Sequence, residues 1–149
     1  MYLISTKEAL DLIEKWETGR LEKDEWTHEM HLIMGCAMLV RFGPKALPAM
    51  RERILRHNEA IGTINSDSMG YHETLTVYWL WVIRNFLLEK NLTTFDEVTI
   101  DELVYEEKLA KRNGWLAFYK EETIKSVAAR RGFVPPDFGE LTGIDWFFQ

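Results

Sequence analysis

The stretch Trp26-Thr27-His28-Glu29-Met30-His31-Leu32-Ile33-Met34-Gly35-Cys36-Ala37-Met38-Leu39-Val40-Arg41-Phe42-Gly43-Pro44 decides the fold. At about 100° per residue, His28, His31, Leu32, Gly35, Met38, Leu39 and Phe42 fall on one face. The spacing predicts a helix from about Lys23 to Phe42, stopped where Gly43-Pro44 removes a backbone donor and fixes a turn. So short a connection makes the next helix, from near Lys45 to the left-handed stop Gly62, an antiparallel neighbour. A polar loop over 63–70 leads into a further helix from Tyr71 to about Lys90, whose stripe is His72, Thr76, Trp79, Ile83 and Phe86. Two reversals leave the second and fourth helices parallel, with their first turns at one end of a bundle. The C-terminal end of the third helix, carrying His57 and Asn58, returns there, as does Glu17 from a first helix spanning Lys7 to Glu17.

Working outward, Ser5 or Thr6 caps that first helix, whose apolar stripe is Leu10, Ile13 and Trp16. Thr99-Ile100-Asp101-Glu102 reads as a capping box for a fifth helix that ends before Gly114. Glu121 to Arg131 reads as a sixth, closed by Gly132 and Pro135-Pro136. The tail Trp146-Phe147-Phe148 is too apolar to stay in water and is expected to pack back. The fold class is all-α, a helical bundle with a four-helix core and about six helices, in a single domain over 1–149.

The chain has 149 residues, 46% of them apolar and 13% aromatic, enough for a core of its own. Its 24 acidic and 18 basic side chains give a net charge of −6, which argues against nucleic acid and anionic membranes and for a small molecule or protein partner. The longest apolar run, Leu75 to Leu88, is too short to span a membrane and contains Arg84 and Asn85. The N-terminal residues lack a charged-then-apolar leader pattern. The single cysteine, Cys36, lies in an apolar helical run, where it reads as a packing residue. We expect a cytoplasmic protein.

Three of the four histidines stand where two helices begin. His28 and His31 are one turn apart on the apolar face, and His72 heads the stripe of its own helix. Three imidazoles at one level offer a metal site with an open position. Buried without partners they would each cost about 1–3 kcal/mol, so they need acceptors, water or an ion. On this reading His28, His31 and His72 bind one divalent ion, with Zn²⁺, Fe²⁺, Ni²⁺ and Cu²⁺ all compatible. The ion would act as a Lewis acid or acidify its bound water. Glu73 would be an outer partner or general base, Asn58 and Tyr71 would orient a small-molecule substrate, and hydrolysis or oxidation would be the reaction. His57, flanked by Arg53, Arg56 and Glu59, reads as a solvated rim residue, with Asn58 the inward one.

The pieces Trp26-Thr27-His28-x-x-His31-Leu32, Asn58-x-x-x-Gly62 with Asn65, and Gly70-Tyr71-His72-Glu73-Thr74-x-Thr76, with Ala129-Arg130 and Pro136-Asp137 later, resemble a family of small, uncharacterised, all-helical bacterial proteins. The resemblance covers roughly Trp16 to Leu141. It implies that the histidine, asparagine and tyrosine motifs define a pattern, and it carries no activity. Two further readings stand beside the metal site. One is a non-metal pocket in which the same histidines and Asn58 hydrogen-bond a small polar ligand. The other is an interaction module that works through its surface. A homodimer fits all three.

Overall fold

A computed structural model describes residues 4–149. The described residues form helices and turns with no strand, so the all-α class holds. Helix α1 spans Thr6–Glu17 and is capped by Ser5, whose hydroxyl accepts from the Glu8 amide at 3.0 Å. Its inward stripe is Ala9, Ile13 and Trp16; Leu10, assigned to the stripe from sequence, is 45% exposed. The i, i+4, i+7 spacing of the small Ala9 lets the helix lie closer than Leu10 would.

Residues 23–25 form a separate 3₁₀ turn rather than the first turn of the next helix. Helix α2, His28–Phe42, begins at Thr27, whose hydroxyl accepts from the Met30 amide. It is buried on almost every side, from Met30 to Leu39, because α3, α4 and α5 all pack on it. By length and composition the stretch His28–Ala60 could cross a membrane, but 61% of its most apolar window is inside the protein. A core helix covered all round needs that composition.

Gly43, at φ +55°, and Pro44 turn the chain directly into α3, Ala46–Ala60. Helix α4, Glu73–Glu89, follows the loop over 61–72 and packs on both α2 and α3. Gly35 makes the α2–α4 approach close: a Cβ there would lie 2.7 Å from Cδ1 of Ile83.

The remaining elements differ in detail from the sequence reading. Helix α5, Glu97–Tyr105, is capped by Asp96, which accepts from the Thr99 amide, so Thr99 lies inside the helix. The expected fifth helix breaks at Glu106, which caps a short α6, Glu107–Ala110. The expected sixth is two pieces, α7 (Glu121–Ile124) and α8 (Val127–Arg131), because the Ser126 hydroxyl accepts from the Ala129 amide and starts a new helix. The tail folds as a 3₁₀ turn, Ile144–Phe148, with Phe147 buried and the Trp146 ring 3.9 Å beneath the Arg84 guanidinium.

Candidate functional site

The first turn of α2 holds two histidines in different ways. His28 donates its Nε2–H to the Leu109 carbonyl of α6 at 2.7 Å and sets its ring edge-on to Trp79 at 4.9 Å. His31 donates Nδ1–H to the Thr27 carbonyl at 2.6 Å, with its ring 3.7 Å from that of Trp26. A carbonyl can only accept, so each bond fixes which nitrogen carries the proton. Burial pushes the His31 imidazolium down to about 4, against the Thr27 hydrogen bond that favours the charged ring and with the nearby Arg112 charge adding to the shift. His31 is therefore neutral near pH 7, and its Nε2 lone pair has no hydrogen-bond partner among the described residues.

His72 is different. It is the N-cap of α4: Nδ1 accepts from the Leu75 amide at 3.1 Å, and Nε2–H donates to the Ile124 carbonyl of α7 at 2.7 Å. Both nitrogens are committed to backbone, and burial holds its pKa below the usual histidine value. No lone pair remains for an ion. Among the described residues no set of three His, Cys, Asp or Glu side chains is grouped to hold a metal. The side chains present do not fit the expected tri-histidine ion.

Glu73, the expected general base, is already engaged by three donors. Arg51 donates to it twice, at 2.9 Å from Nε and 2.6 Å from a terminal nitrogen, and the Tyr71 hydroxyl donates at 2.5 Å. Burial, then the Glu73 charge, raises the Tyr71 phenol well above its ordinary range, so it stays protonated as that donor. Burial raises the Cys36 thiol to about 12, and at 0% exposure it packs rather than reacts.

The loop between α3 and α4 is tied by a relay. Asn58 donates Nδ2–H to Oδ1 of Asn65 at 2.9 Å, and the same oxygen accepts the Tyr71 amide at 3.0 Å. Gly70, at φ +82°, is required there: a Cβ would lie 2.5 Å from that Asn65 oxygen and 2.6 Å from the Ile64 carbonyl. Arg130 donates to the Gly70 and Tyr71 carbonyls from outside.

These elements enclose a cavity of about 480 Å³, within the range of small-molecule sites. His28, His31, Asn58, Tyr71 and His72 all line it, and Glu73 lies outside the lining. The rest of the wall is mainly apolar, with Trp26, Leu32, Met50, Ile54, Trp79 and Ile83 prominent. Two residues expected elsewhere are relocated. His57 is 0% exposed rather than at the rim, with Nε2–H donating to the Leu21 carbonyl at 3.1 Å and Trp26 against its ring. Glu17 turns to Arg53 at 2.8 Å and Arg41 at 3.3 Å, away from the cavity. Sequence reasoning missed Trp26, Trp79, Lys23 and Arg112 as wall residues. Trp79 was legible, being on the His72 stripe, whereas Lys23 and Arg112 carry no local signal. No protein-family model, no curated protein and no solved structure matches this chain.

Proposed function

We propose that this protein binds a small, largely apolar molecule in the cavity between α2, α3 and α4, beneath the loop over 61–72. The observation that carries the reading is the wall itself: apolar and aromatic side chains with a few converging polar groups, among them a neutral His31 whose outer nitrogen is unpaired. That combination suits shape-based burial of a ligand oriented by one or two hydrogen bonds. A metal-dependent enzyme would need His72 to release both the Leu75 amide and the Ile124 carbonyl. The ligand reading needs no such rearrangement.

Trp26 and Trp79 line the cavity, so their emission reports its filling. A neutral apolar fluorophore, N-phenylnaphthylamine, titrated into the full chain should bind saturably at one site and quench tryptophan emission. Thr76→Phe, which places a ring in the wall, should abolish this at unchanged helical content. Binding that does not saturate, or that survives Thr76→Phe, would count against the cavity.

A further inference from the structure

Lys23 and Arg112 are the charged members of the cavity wall, and both are cationic. No carboxylate joins them, although the chain has 24 acidic side chains against 18 basic ones. Arg112 is exposed and, among the described residues, is the arginine without a hydrogen bond, ion pair or ring partner. Every other arginine is engaged: Arg20, Arg41, Arg51, Arg53, Arg56 and Arg131 with carboxylates, Arg84 with Trp146, and Arg130 with backbone carbonyls. Arg112 is close enough to His31 and Glu29 to influence their ionisation, yet it forms no ion pair with Glu29. Among the described residues Lys23 is likewise unpaired, and it lies exposed at the start of the turn that carries Trp26. The buried carboxylate of Glu73 is paired with Arg51.

We propose that the ligand is an amphipathic anion, with an apolar body held in the cavity and one acidic head group at its mouth, against Arg112 and Lys23. This rests on the cavity reading above and adds the ligand's charge. An exposed ion pair contributes modestly, about 0.5–1 kcal/mol each, so two cations give a preference of roughly fivefold to thirtyfold. The Arg112 guanidinium is suited to a carboxylate head because it can donate two parallel hydrogen bonds.

The test is displacement of N-phenylnaphthylamine from the full chain by decanoate, decanol and decylamine, three probes with one tail and different heads. Decanoate should displace at least about fivefold more strongly than decanol, and decylamine least. The preference should shrink in about 0.5 M salt. The double variant Lys23→Gln/Arg112→Gln should bring the decanoate-to-decanol ratio close to one without moving the thermal midpoint, and Arg112→Lys should keep part of it. Decanol equal to decanoate, or a ratio unmoved in the double variant, overturns the charge assignment while leaving the cavity. Failure of all three to displace, or of the fluorophore to bind at all, overturns the cavity and the anion with it.

Discussion

His72 donates its Nε2–H to the carbonyl of Ile124 at 2.7 Å, joining the first turn of α4 to a helix fifty-two positions further along. The same ring caps α4 through Nδ1 and the Leu75 amide. A cap contributes about 1 kcal/mol, and an orphaned carbonyl at a buried residue costs about 1–3 kcal/mol. We therefore expect His72→Ala to destabilise by about 2–4 kcal/mol in urea unfolding. His72→Asn, which restores the cap but cannot reach Ile124, should recover about 1 kcal/mol of that. Equal losses in the two variants would show that the Nδ1 cap is energetically idle.

Protonation should destabilise this protein at mildly acidic pH. His31 and His72 both have native values below that of a free histidine, His31 at about 4, with burial the main cause in each. The unfolded chain therefore binds protons that the native chain refuses, and stability rises with pH in that window. It is complete above about pH 6.5 and is lost as pH falls below that, for His31 down towards 4, with a slope up to about 1.4 kcal/mol per pH unit for each histidine. Carboxylates held low by hydrogen bonds, such as Glu29 through its own backbone amide and Asp96 through Thr99, add their loss only below about pH 4.5. Urea midpoints between pH 7 and 5 should fall in the native chain and fall less in His31→Gln. A flat profile there would contradict the burial of both rings.

Much of this architecture is legible because α2, α3 and α4 are joined by a tight turn and one loop and carry unbroken stripes. That is enough to bring His28, His31, Asn58 and His72 to the wall of one cavity. What the stripes do not encode is the second half of each polar contact. His28 bonds Leu109, His72 bonds Ile124 and His57 bonds Leu21, all backbone carbonyls on segments distant in sequence. A carbonyl exists at every residue and leaves no mark in a sequence, so three histidines with separate structural partners look the same as three awaiting an ion. His57 is misread for a related reason: its charged neighbours Arg53, Arg56 and Glu59 suggest solvent, while the segment that covers it precedes α2. The breaks at Glu106 and Ser126 turn on local caps that compete with helix continuation.

Gly35 and Ile83 should be energetically coupled. A methyl at position 35 would meet the terminal Cδ1 of Ile83 at 2.7 Å, and Ile83 is 1% exposed. Replacing a mid-helix glycine with alanine gains about 1 kcal/mol of helix propensity, which offsets part of the cost of displacing that methyl. Gly35→Ala alone should therefore cost about 1 kcal/mol or less, and Ile83→Val about 0.5–1.5 kcal/mol. The double variant should cost clearly less than the two together, because valine lacks the clashing carbon. Strict additivity by urea unfolding would mean the helices separate rather than press on that contact.

Glu73 is expected to support the cavity without entering it. Three donors converge on its carboxylate, two from Arg51 and one from Tyr71, and the residue is 9% exposed. Tyr71, held by this bond, lines the cavity, and Glu73 lies outside the lining. Glu73→Gln removes the charge that both partners use and should cost about 1–3 kcal/mol of stability. Tyr71→Phe deletes one donor, leaves Arg51 paired, and should cost about 1 kcal/mol. Neither should shift N-phenylnaphthylamine affinity by more than about twofold, whereas Tyr71→Ala, which removes the wall itself, should weaken it several-fold. The opposite pattern, Glu73→Gln losing the fluorophore at unchanged stability, would mean that the carboxylate swings inward and meets the ligand directly.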